Sequence, residues 1–576
     1  MKCFFSRRTP TAWLLATLCL LAATPSRAAD DSKKNWKLVL KAFGADDLAV
    51  IHFEYANDPK AVLLDAQKKM IGDVELKDFK FEKNRVSFEL KGPEIVIRFG
   101  GDVTMAGALP GSPIKGTLKI REQVFPASLE LTDAEKVAEP ETNPVLQDIG
   151  KAMRQADAKD KARELQELIT RNGGSPSSHV LDPLLFGAAS EAKLPAAEVE
   201  KAAETWIGDA KPYGPAWVDV IRLKALQSLA PSKEYADTAL KIGLEADKSM
   251  AADAPLELRA AVVELLAKAA KNAGAAGVAK DAEARSTKLE GQLDAEYHEK
   301  VPPFKPTPFE GRKQAGADRV VVFELFTGAQ CPPCVAADVA FDALLKTYKP
   351  TELIGLQYHL HIPGPDPLTN SDTLARQEYY GRQINGTPST FFNGRSDAAG
   401  GGMMSDSEEK YKEYRGLVDE LLARKARADV KVTAARDGDQ IAITADASKT
   451  ADADAPKQGE RASDRLSLRL ALTEEAIRYV GSNRLRFHHH VVRALPGGDD
   501  GKRLVDGKGR VEVKVNLADL KRELEDYLSR AAKDRPFPGD LPEIALKNLS
   551  VVAFVQDDAD QSILGAATVH VAEPTP

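Results

Sequence analysis

Two cysteines separated by two prolines are the residues of this chain whose chemistry is easiest to name. Cys331 and Cys334 form the motif Cys-Pro-Pro-Cys, between an apolar run at 320–323 that is typical of a buried strand and a helical pattern that begins at Val335. A cysteine at the N-terminus of a helix has its thiolate stabilised by free backbone N–H groups and by the helix dipole. Such a thiolate attacks disulfides, and a second cysteine one turn later resolves the mixed disulfide. The pattern therefore indicates thiol–disulfide exchange.

The cysteine count favours this interpretation over two alternatives, an idle disulfide and half of a zinc site. The other two cysteines, Cys3 and Cys19, lie in an N-terminal segment that we expect to be removed on export. A disulfide across two residues closes almost no loop and therefore stabilises the fold little. Zinc would need two further ligands, for which only His359 and His361 are plausible donors. The sequence predicts no metal and no cofactor.

Strands and helices alternate around the motif. The predicted elements are, in chain order, a strand at 319–326, a helix at 335–348, a strand at 352–362, a helix at 371–382, a strand at 389–392 and a helix at 407–426. Parallel strands bring their carboxyl ends to one edge of a sheet, where sites tend to form. His359 and His361 close the second strand at the edge that carries Cys331, and Thr387-Pro388 opens the third strand there. We favour packing or loop anchoring for the two histidines, with a thiolate neighbour or a metal ligand as the alternative.

The stretch 320–394 resembles the thioredoxin superfamily. In that resemblance Cys331 matches the attacking cysteine and Cys334 the resolving cysteine. Thr387-Pro388 matches the cis-proline pair of the family, which faces the cysteines and helps to bind the extended chain of a substrate. The run ELFTGAQCPPC is similar to a group of exported bacterial thioredoxin-like proteins, some of which carry a C-terminal β-domain. The resemblance covers 319–426 closely and 427–576 loosely.

Two positions depart from the family pattern. Gln330 stands where the family has a tryptophan before the first cysteine, and Leu325 holds the place of its buried acid. Glu324 is one residue away from that place, and strand alternation points its side chain to the other face of the sheet. We therefore expect Glu324 to be salt-bridged rather than to act as a base. Gln330, Glu324 and the two histidines are kept as supporting residues of the predicted site.

The N-terminus has the features of a signal peptide. Residues 1–28 contain a basic start, an apolar run at 13–23 and the small residues Ser26 and Ala28 around a cleavage position. We predict a periplasmic or secreted protein, cleaved after Ala28. The formal charge is −7 for the whole chain, and because residues 1–28 hold four basic and no acidic residues, it is −11 for the remainder. Such acidity argues against a nucleic-acid-binding protein, and no later segment is predicted to span a membrane.

The chain is too long for one core, so we expect a multidomain α+β protein. Residues 29–135 predict an antiparallel β-domain, closed or two-layered. Residues 140–298 are helical, with hairpins at 214–249 and 255–297 that are tetratricopeptide-like or part of a helical bundle. The predicted order continues with a Pro-rich linker at 299–318, the thioredoxin-like α/β domain at 319–426 and a β-sandwich-like domain at 427–576.

These observations predict a cell-envelope thiol–disulfide oxidoreductase that acts on exported, cysteine-containing proteins and exchanges electrons with an unknown redox partner. In this hypothesis Cys331 attacks, Cys334 resolves, and Thr387 and Pro388 position the substrate. The competing hypothesis is a non-catalytic binding or assembly protein that uses a thioredoxin-like scaffold.

Overall fold

The computed structural model describes residues 33–42, 44–54, 59–93, 95–103, 112–121, 123–140, 144–174, 177–251, 253–450 and 465–572. The chain forms two compact units, residues 1–293 and residues 294–576. The predicted signal peptide at 1–28, with Cys3 and Cys19, lies outside the described residues. Within those ranges no helix is long and apolar enough to cross a bilayer.

The first unit begins with an eight-stranded antiparallel sheet. Its strands are β1 (Lys33–Leu40), β2 (Asp46–Glu54), β3 (Lys60–Ala66), β4 (Glu75–Glu82), β5 (Arg85–Lys91), β6 (Val96–Asp102), β7 (Ile114–Ile120) and β8 (Gln123–Thr132), with a short helix α1 (Lys68–Ile71) before β4. They lie in the order β3-β2-β1-β8-β7-β6-β5-β4. In β5, Val86, Phe88 and Leu90 are buried while their neighbours are not, the period-2 pattern of a sheet with one covered face. The predicted N-terminal antiparallel β-domain is confirmed.

Eight further helices follow, of which α2 to α8 lie in the same unit and α9 continues from it into the second unit. They are α2 (Val145–Met153), α3 (Ala158–Arg171), α4 (Ser178–Ala192), α5 (Ala196–Ala210), α6 (Pro215–Leu229), α7 (Ala236–Ser249), α8 (Leu256–Asn272) and α9 (Ala276–Lys300). The side chain of Asp157 caps α3 by accepting hydrogen bonds from two backbone N–H groups of its first turn. The predicted hairpins coincide with α6–α7 and α8–α9, and Leu226, Ala239 and Val262 from three of these helices share one apolar core. The predicted helical region is confirmed.

The second unit contains the alternating strands and helices that surround the cysteines. These are β9 (Val321–Thr327), α10 (Val335–Thr347), β10 (Leu353–His359), α11 (Ser371–Tyr380), β11 (Ser389–Phe392) and α12 (Ser407–Leu422). β9 and β10 are parallel, and β11 is antiparallel to β9. Every residue of β9 and of β10 is buried, which agrees with strands covered by helices on both faces.

The rest of the second unit is mostly β-structure. It comprises β12 (Ala428–Asp437), β13 (Gln440–Lys449), β14 (Leu466–Arg478), β15 (Phe487–Ala494), β16 (Lys502–Arg503), β17 (Lys508–Asn516), α13 (Leu517–Asp534), β18 (Leu549–Asp557) and β19 (Ile563–His570). β12, β13 and β17 form a three-stranded sheet. Its inward side chains, such as Ile443, share a core with Leu470, Val551 and Leu524 of α13.

The sequence predicted separate domains at 319–426 and 427–576, whereas the structure joins the two regions in one sheet. β15 pairs with β10 in parallel, with Gln357 opposite Val491. The strand order is therefore β11-β9-β10-β15-β14-β18-β19, continuous across the predicted boundary. An edge strand with unpaired backbone groups tends to recruit another strand, and β15 fills that position beside β10.

The Pro-rich segment predicted as a linker at 299–318 is packed rather than free. It contains no helix or strand after Lys300. Phe304 lies 5.2 Å from the ring of Tyr411, and Phe309 lies 5.1 Å from the ring of Tyr348. Backbone N–H groups of the segment also donate to Tyr411 and to Thr347. The segment is thus part of the second unit.

We expect a fragment of residues 294–576 to melt cooperatively and a fragment of residues 312–576 to melt at a temperature roughly 5–10 °C lower. The shorter fragment lacks Phe304 and Phe309, each of which contributes on the order of 1 kcal/mol by partial burial. Calorimetry of both fragments measures the difference. The double substitution Phe304→Ala, Phe309→Ala in the longer fragment should reproduce most of it, and equal melting temperatures for the two fragments would contradict the packing role.

Candidate active site

The two cysteines lie between β9 and α10 and form a disulfide, with Cα atoms 5.4 Å apart. Cys331 precedes a 3₁₀ turn, Pro332–Cys334, that continues into α10. Pro332 and Pro333 take the first positions of this turn, where no backbone N–H is needed. Both prolines are exposed, whereas Cys331 is 1% exposed and Cys334 is 0% exposed. The disulfide therefore lies directly beneath the surface.

Thr387 and Pro388 lie beside the disulfide. The Thr387–Pro388 peptide bond is cis, as predicted. The carbonyl oxygen of Thr387 is 3.5 Å from Sγ of Cys331. The hydroxyl group of Thr387 donates to the carbonyl oxygen of Ile362 at 3.1 Å, so this residue also holds the loop that follows β10.

A glycine-containing segment closes another side of the motif. The N–H of Gly402 donates to the carbonyl oxygen of Pro333 at 2.7 Å, and the N–H of Ala336 donates to the carbonyl oxygen of Gly402 at 3.1 Å. A Cβ atom on Gly401 would lie 1.9 Å from the carbonyl oxygen of Pro333. Only glycine fits this approach of two backbones.

His359 and Asp366 form a buried pair that holds the loop before the cysteines. Nδ1 of His359 is 2.9 Å from Oδ2 of Asp366, and both side chains are fully buried. Asp366 also accepts the N–H groups of Ala329 at 2.6 Å and Leu368 at 2.8 Å. Burial raises the pKa of Asp366, but His359 and the two N–H groups outweigh it and hold that pKa below its usual range. Because Ala329 is two residues before Cys331, this pair positions the turn.

His361 holds the same loop from outside. Its Nδ1 accepts the N–H of Asp366 at 2.9 Å, and its Nε2 is 2.8 Å from the hydroxyl of Tyr527 on α13. Burial lowers the pKa of His361; Asp366 opposes this effect and Arg535 adds to it. These contacts are those of loop anchors, the interpretation that the sequence favoured for both histidines. Among the described residues no group of three or more His, Cys, Asp or Glu side chains is arranged to hold a metal ion.

Gln330 joins the motif to a distant part of the chain, residues 479–486, which connect β14 to β15 and are called the strap below. Nε2 of Gln330 donates to the hydroxyl of Tyr479 at 3.1 Å. Its Oε1 accepts from the N–H and the hydroxyl of Ser482 at 3.1 and 2.6 Å. The side chain of Gln330 thus docks the strap.

Glu324 does not join the site. Its carboxylate accepts from Nε of Arg376 at 2.8 Å and from the hydroxyl of Tyr380 at 2.5 Å. Both partners are on α11, whereas Leu325 faces α10. Glu324 is salt-bridged on the other face of the sheet, as alternation along β9 predicted.

Asp338 is a site residue that the sequence reasoning missed. It lies one helical turn after Cys334 and is 2% exposed. Its carboxyl group accepts from the hydroxyl of Thr327 and from Nε2 of Gln357, both at 2.8 Å. Burial raises the pKa of Asp338 well above its usual range, and Asp342 and Asp366 add to this effect against the hydrogen bond from Thr327. The sequence did contain a signal for a buried acid here, because Asp338 and Asp342 are the two charged residues of an otherwise apolar stretch, 335–345.

No protein-family model matches this chain, and no curated protein matches it. Among solved structures, HBP35 of Porphyromonas gingivalis is similar over 45% of this chain and 77% of its own, with 18% identity and a TM-score of 0.30. Similarity at that level indicates no function.

We expect Asp366→Ala to lower the free energy of unfolding of the second unit by about 3–5 kcal/mol, because it leaves His359 and the N–H of Ala329 buried without their acceptor. Urea denaturation at pH 7 measures this change. Asp446→Ala is the matched control, since Asp446 pairs with Arg510 at an exposed site, and it should have little effect. An equally small effect for Asp366→Ala would contradict the anchoring role.

The same pair predicts a pH dependence. The pKa of Asp366 is lowered from 3.8 on folding, so its stabilising contribution is present above that value and is lost as the pH falls through the folded pKa. The stability difference between the wild type and Asp366→Asn should therefore be constant from pH 7 to about pH 4 and narrow below it. A difference that narrows between pH 7 and pH 5 would point to a different titrating group.

Proposed function

We propose that this chain is a thiol–disulfide oxidoreductase of the bacterial cell envelope, with Cys331 and Cys334 as its redox pair. The observation that carries the proposal is the disulfide at the start of α10, 3.5 Å from the carbonyl oxygen of Thr387. The arrangement of β9, α10, β10, α11, β11 and α12 supports a thioredoxin-like interpretation of this part of the fold.

The proposed reaction exchanges disulfides in two steps. The thiolate of reduced Cys331 attacks one sulfur of a substrate disulfide, a mixed disulfide forms, and the other substrate sulfur leaves as a thiolate. Cys334 then attacks Sγ of Cys331, which releases the second substrate thiolate and closes the Cys331–Cys334 disulfide. Two electrons pass from the protein to the substrate, and the reverse sequence oxidises a dithiol. The half-buried backbone of Thr387, held by Ile362, would pair with an extended substrate chain next to Cys331.

Asp338 supplies the proton transfer that the second step requires. Cys334 must lose its proton before it attacks, and it is fully buried. Residues four apart on a helix lie on one face, which places Asp338 beside Cys334. A carboxyl group with a raised pKa can take that proton and later return it. Asp338 thus takes the role that no acid on β9 can play, because Glu324 faces α11.

Substrates would be exported proteins with cysteines, and an unidentified dithiol or disulfide protein would complete the cycle. The N-terminal sheet and the helix pairs, which we interpret as tetratricopeptide-like, would recognise partners. Export through the signal segment at 1–28 would place the protein in the periplasm or outside the cell, where disulfides persist.

A non-catalytic assembly protein on a thioredoxin-like scaffold is the second candidate function. The observation that favours it is the burial of both cysteines, of which Cys331 is 1% exposed and Cys334 is 0% exposed. In that case the disulfide would be structural and no substrate would reach it.

Turnover of insulin disulfides with dithiothreitol separates the two functions. We expect the wild type to accelerate insulin reduction and Cys331→Ser to abolish this, because the attacking sulfur is lost. Cys334→Ser is the matched variant, since it should trap the mixed disulfide at Cys331, visible as a covalent adduct in mass spectrometry. A well-folded wild type without turnover, and a Cys334→Ser variant without adduct, would favour the assembly protein.

Asp338→Asn should lower turnover about 100-fold at neutral pH while keeping the shape and the hydrogen-bond partners of the side chain. The variant should also become more stable than the wild type as the pH rises. The pKa of Asp338 is raised above 3.8 on folding, so its contribution to stability is full below that value and is lost as the pH rises through the folded pKa. Turnover and urea midpoints at pH 5 and pH 8 measure both effects.

Asp342→Asn is the matched control for this test. Asp342 lies on the same helix one turn further from Cys334 and pairs with His489 at 2.9 Å. Its substitution should leave turnover within about twofold, because asparagine keeps the size of the side chain and Asp342 lies too far along α10 to exchange a proton with Cys334. Equal losses of turnover in both variants would show that the effect is structural rather than a proton transfer by Asp338.

A further inference from the structure

The disulfide cannot exchange in the state that the structure shows. Thiol–disulfide exchange requires a third sulfur to reach one sulfur of the disulfide, yet Cys331 is 1% exposed and Cys334 is 0% exposed. Pro332 and Pro333 are exposed beside them, so the barrier is a thin cover and not a deep burial. Some element around the motif must move before a reductant or substrate makes contact.

The strap docks on both sides of Cys331. On the side before the cysteine, the N–H of Asn483 donates to the carbonyl oxygen of Ala329 at 3.1 Å, and Ser482 and Tyr479 bind Gln330. On the side after it, Leu485 packs against Val335 and Val339 of α10 in one apolar cluster. The strap therefore bridges the two segments that flank the attacking cysteine.

The carboxylate of Asp294 bridges the two ends of the strap. Oδ2 of Asp294 accepts from Nε of Arg478, and Oδ1 accepts from Nε of Arg486, both at 2.7 Å. Arg478 is the last residue of β14 and Arg486 immediately precedes β15. Asp294 thus fixes both hinge positions from α9. Charge-assisted bonds of this kind are stronger than neutral ones.

Of the two segments that flank the motif, the strap and the segment at Gly401 and Gly402, the strap is the one suited to move. It is held by one backbone hydrogen bond, from Asn483 to Ala329, and by bonds to the side chain of Gln330 that water can replace, and Ser482 and Arg484 are exposed. The segment at Gly401 and Gly402, by contrast, is held by backbone hydrogen bonds in both directions to Pro333 and Ala336. Opening there would break the start of α10.

We propose that the strap is a lid over the redox site, latched by Asp294 and closed on the oxidised protein. This inference rests on the proposed function, whose substrates the lid would admit or exclude. With the latch closed, small thiols reduce the disulfide slowly, and release of the strap exposes Cys331 to a partner. A partner that displaces Ser482 from Gln330 opens the site as it binds, so that exchange is fastest with proteins that dock there.

The test is the rate at which dithiothreitol reduces the Cys331–Cys334 disulfide in the full-length protein. In this reaction the reagent becomes a cyclic disulfide, and the two cysteines become thiols that iodoacetamide traps for mass spectrometry. Asp294→Ala should raise the second-order rate at least about tenfold, the factor that corresponds to about 1.4 kcal/mol, because two charge-assisted bonds are lost. Asp446→Ala, which removes an exposed carboxylate with its own arginine partner, should leave the rate unchanged.

A second variant opens the lid without removing a charge. A Cβ atom on Gly481 would lie 2.1 Å from the carbonyl oxygen of Ala329, so Gly481→Ala pushes the strap off its seat and should also accelerate reduction about tenfold or more. Melting temperatures check that both variants are folded.

Two outcomes would overturn the proposal of a lid. One is a wild-type rate of reduction in both folded variants, and the other is a wild-type disulfide that is reduced as fast as one in an unstructured peptide. Accelerated reduction without insulin turnover in any variant would keep the lid and refute the proposed function.

Discussion

The parallel pairing of β9 with β10 determines where every part of the candidate site lies. Thr327 and His359 end the two strands opposite each other, so the chain leaves both strands at one edge of the sheet. The turn that carries Cys331 and the loop that carries Asp366 are therefore neighbours, and one carboxylate can hold both. β11 runs antiparallel to β9 with Ser389 opposite Phe326, which brings Thr387 to the same edge. The positions of the disulfide, its anchors and the backbone of Thr387 all follow from these two pairings.

A buried acid lies on each face of β9, and the two acids have different surroundings. On one face Glu324 is buried against Arg376 and Tyr380. A buried ion pair of this kind adds little net stability, but removal of either partner is costly, so it ties α11 to the strand. On the other face Asp338, one helical turn after Cys334, is buried with two neutral hydrogen-bond donors, Thr327 and Gln357. A carboxyl group there is not neutralised by a cation and therefore keeps a raised pKa. The first acid ties α11 to β9, and the second, which costs stability where it ionises, is the one that transfers a proton in the proposed reaction.

Local patterns were sufficient to predict the elements of this site, and long-range pairing was the part they could not supply. The apolar run of β9, the motif at Cys331 and the alternation that turns Glu324 away are all properties of a few consecutive residues. The pairing of β15 with β10 joins residues more than a hundred positions apart, and no periodicity reports such a partner. The strap and its contact with Gln330 depend on that pairing and were missed with it. The prediction of a free linker failed for a related reason. The composition of the Pro-rich segment predicts an extended chain, but it does not predict that Phe304 and Phe309 pack against the rings of Tyr411 and Tyr348.

The strap affects both the access of other molecules to the disulfide and the reactivity of its cysteines. A thiolate is a charged group, and removal of water disfavours it, so the closed strap opposes the step in which Cys331 becomes a nucleophile. The dipole of α10 favours the thiolate at its N-terminus, but this stabilisation is effective only when the sulfur can also be solvated or meet a substrate. Opening the strap would let water solvate the sulfur of Cys331 and would let a substrate reach it. A partner that replaces the contacts of Ser482 with Gln330 would thereby activate the cysteine it is about to attack or reduce, and a small thiol that makes no such contacts would not. Selectivity in this arrangement would come from the contacts of Gln330, the residue that directly precedes Cys331.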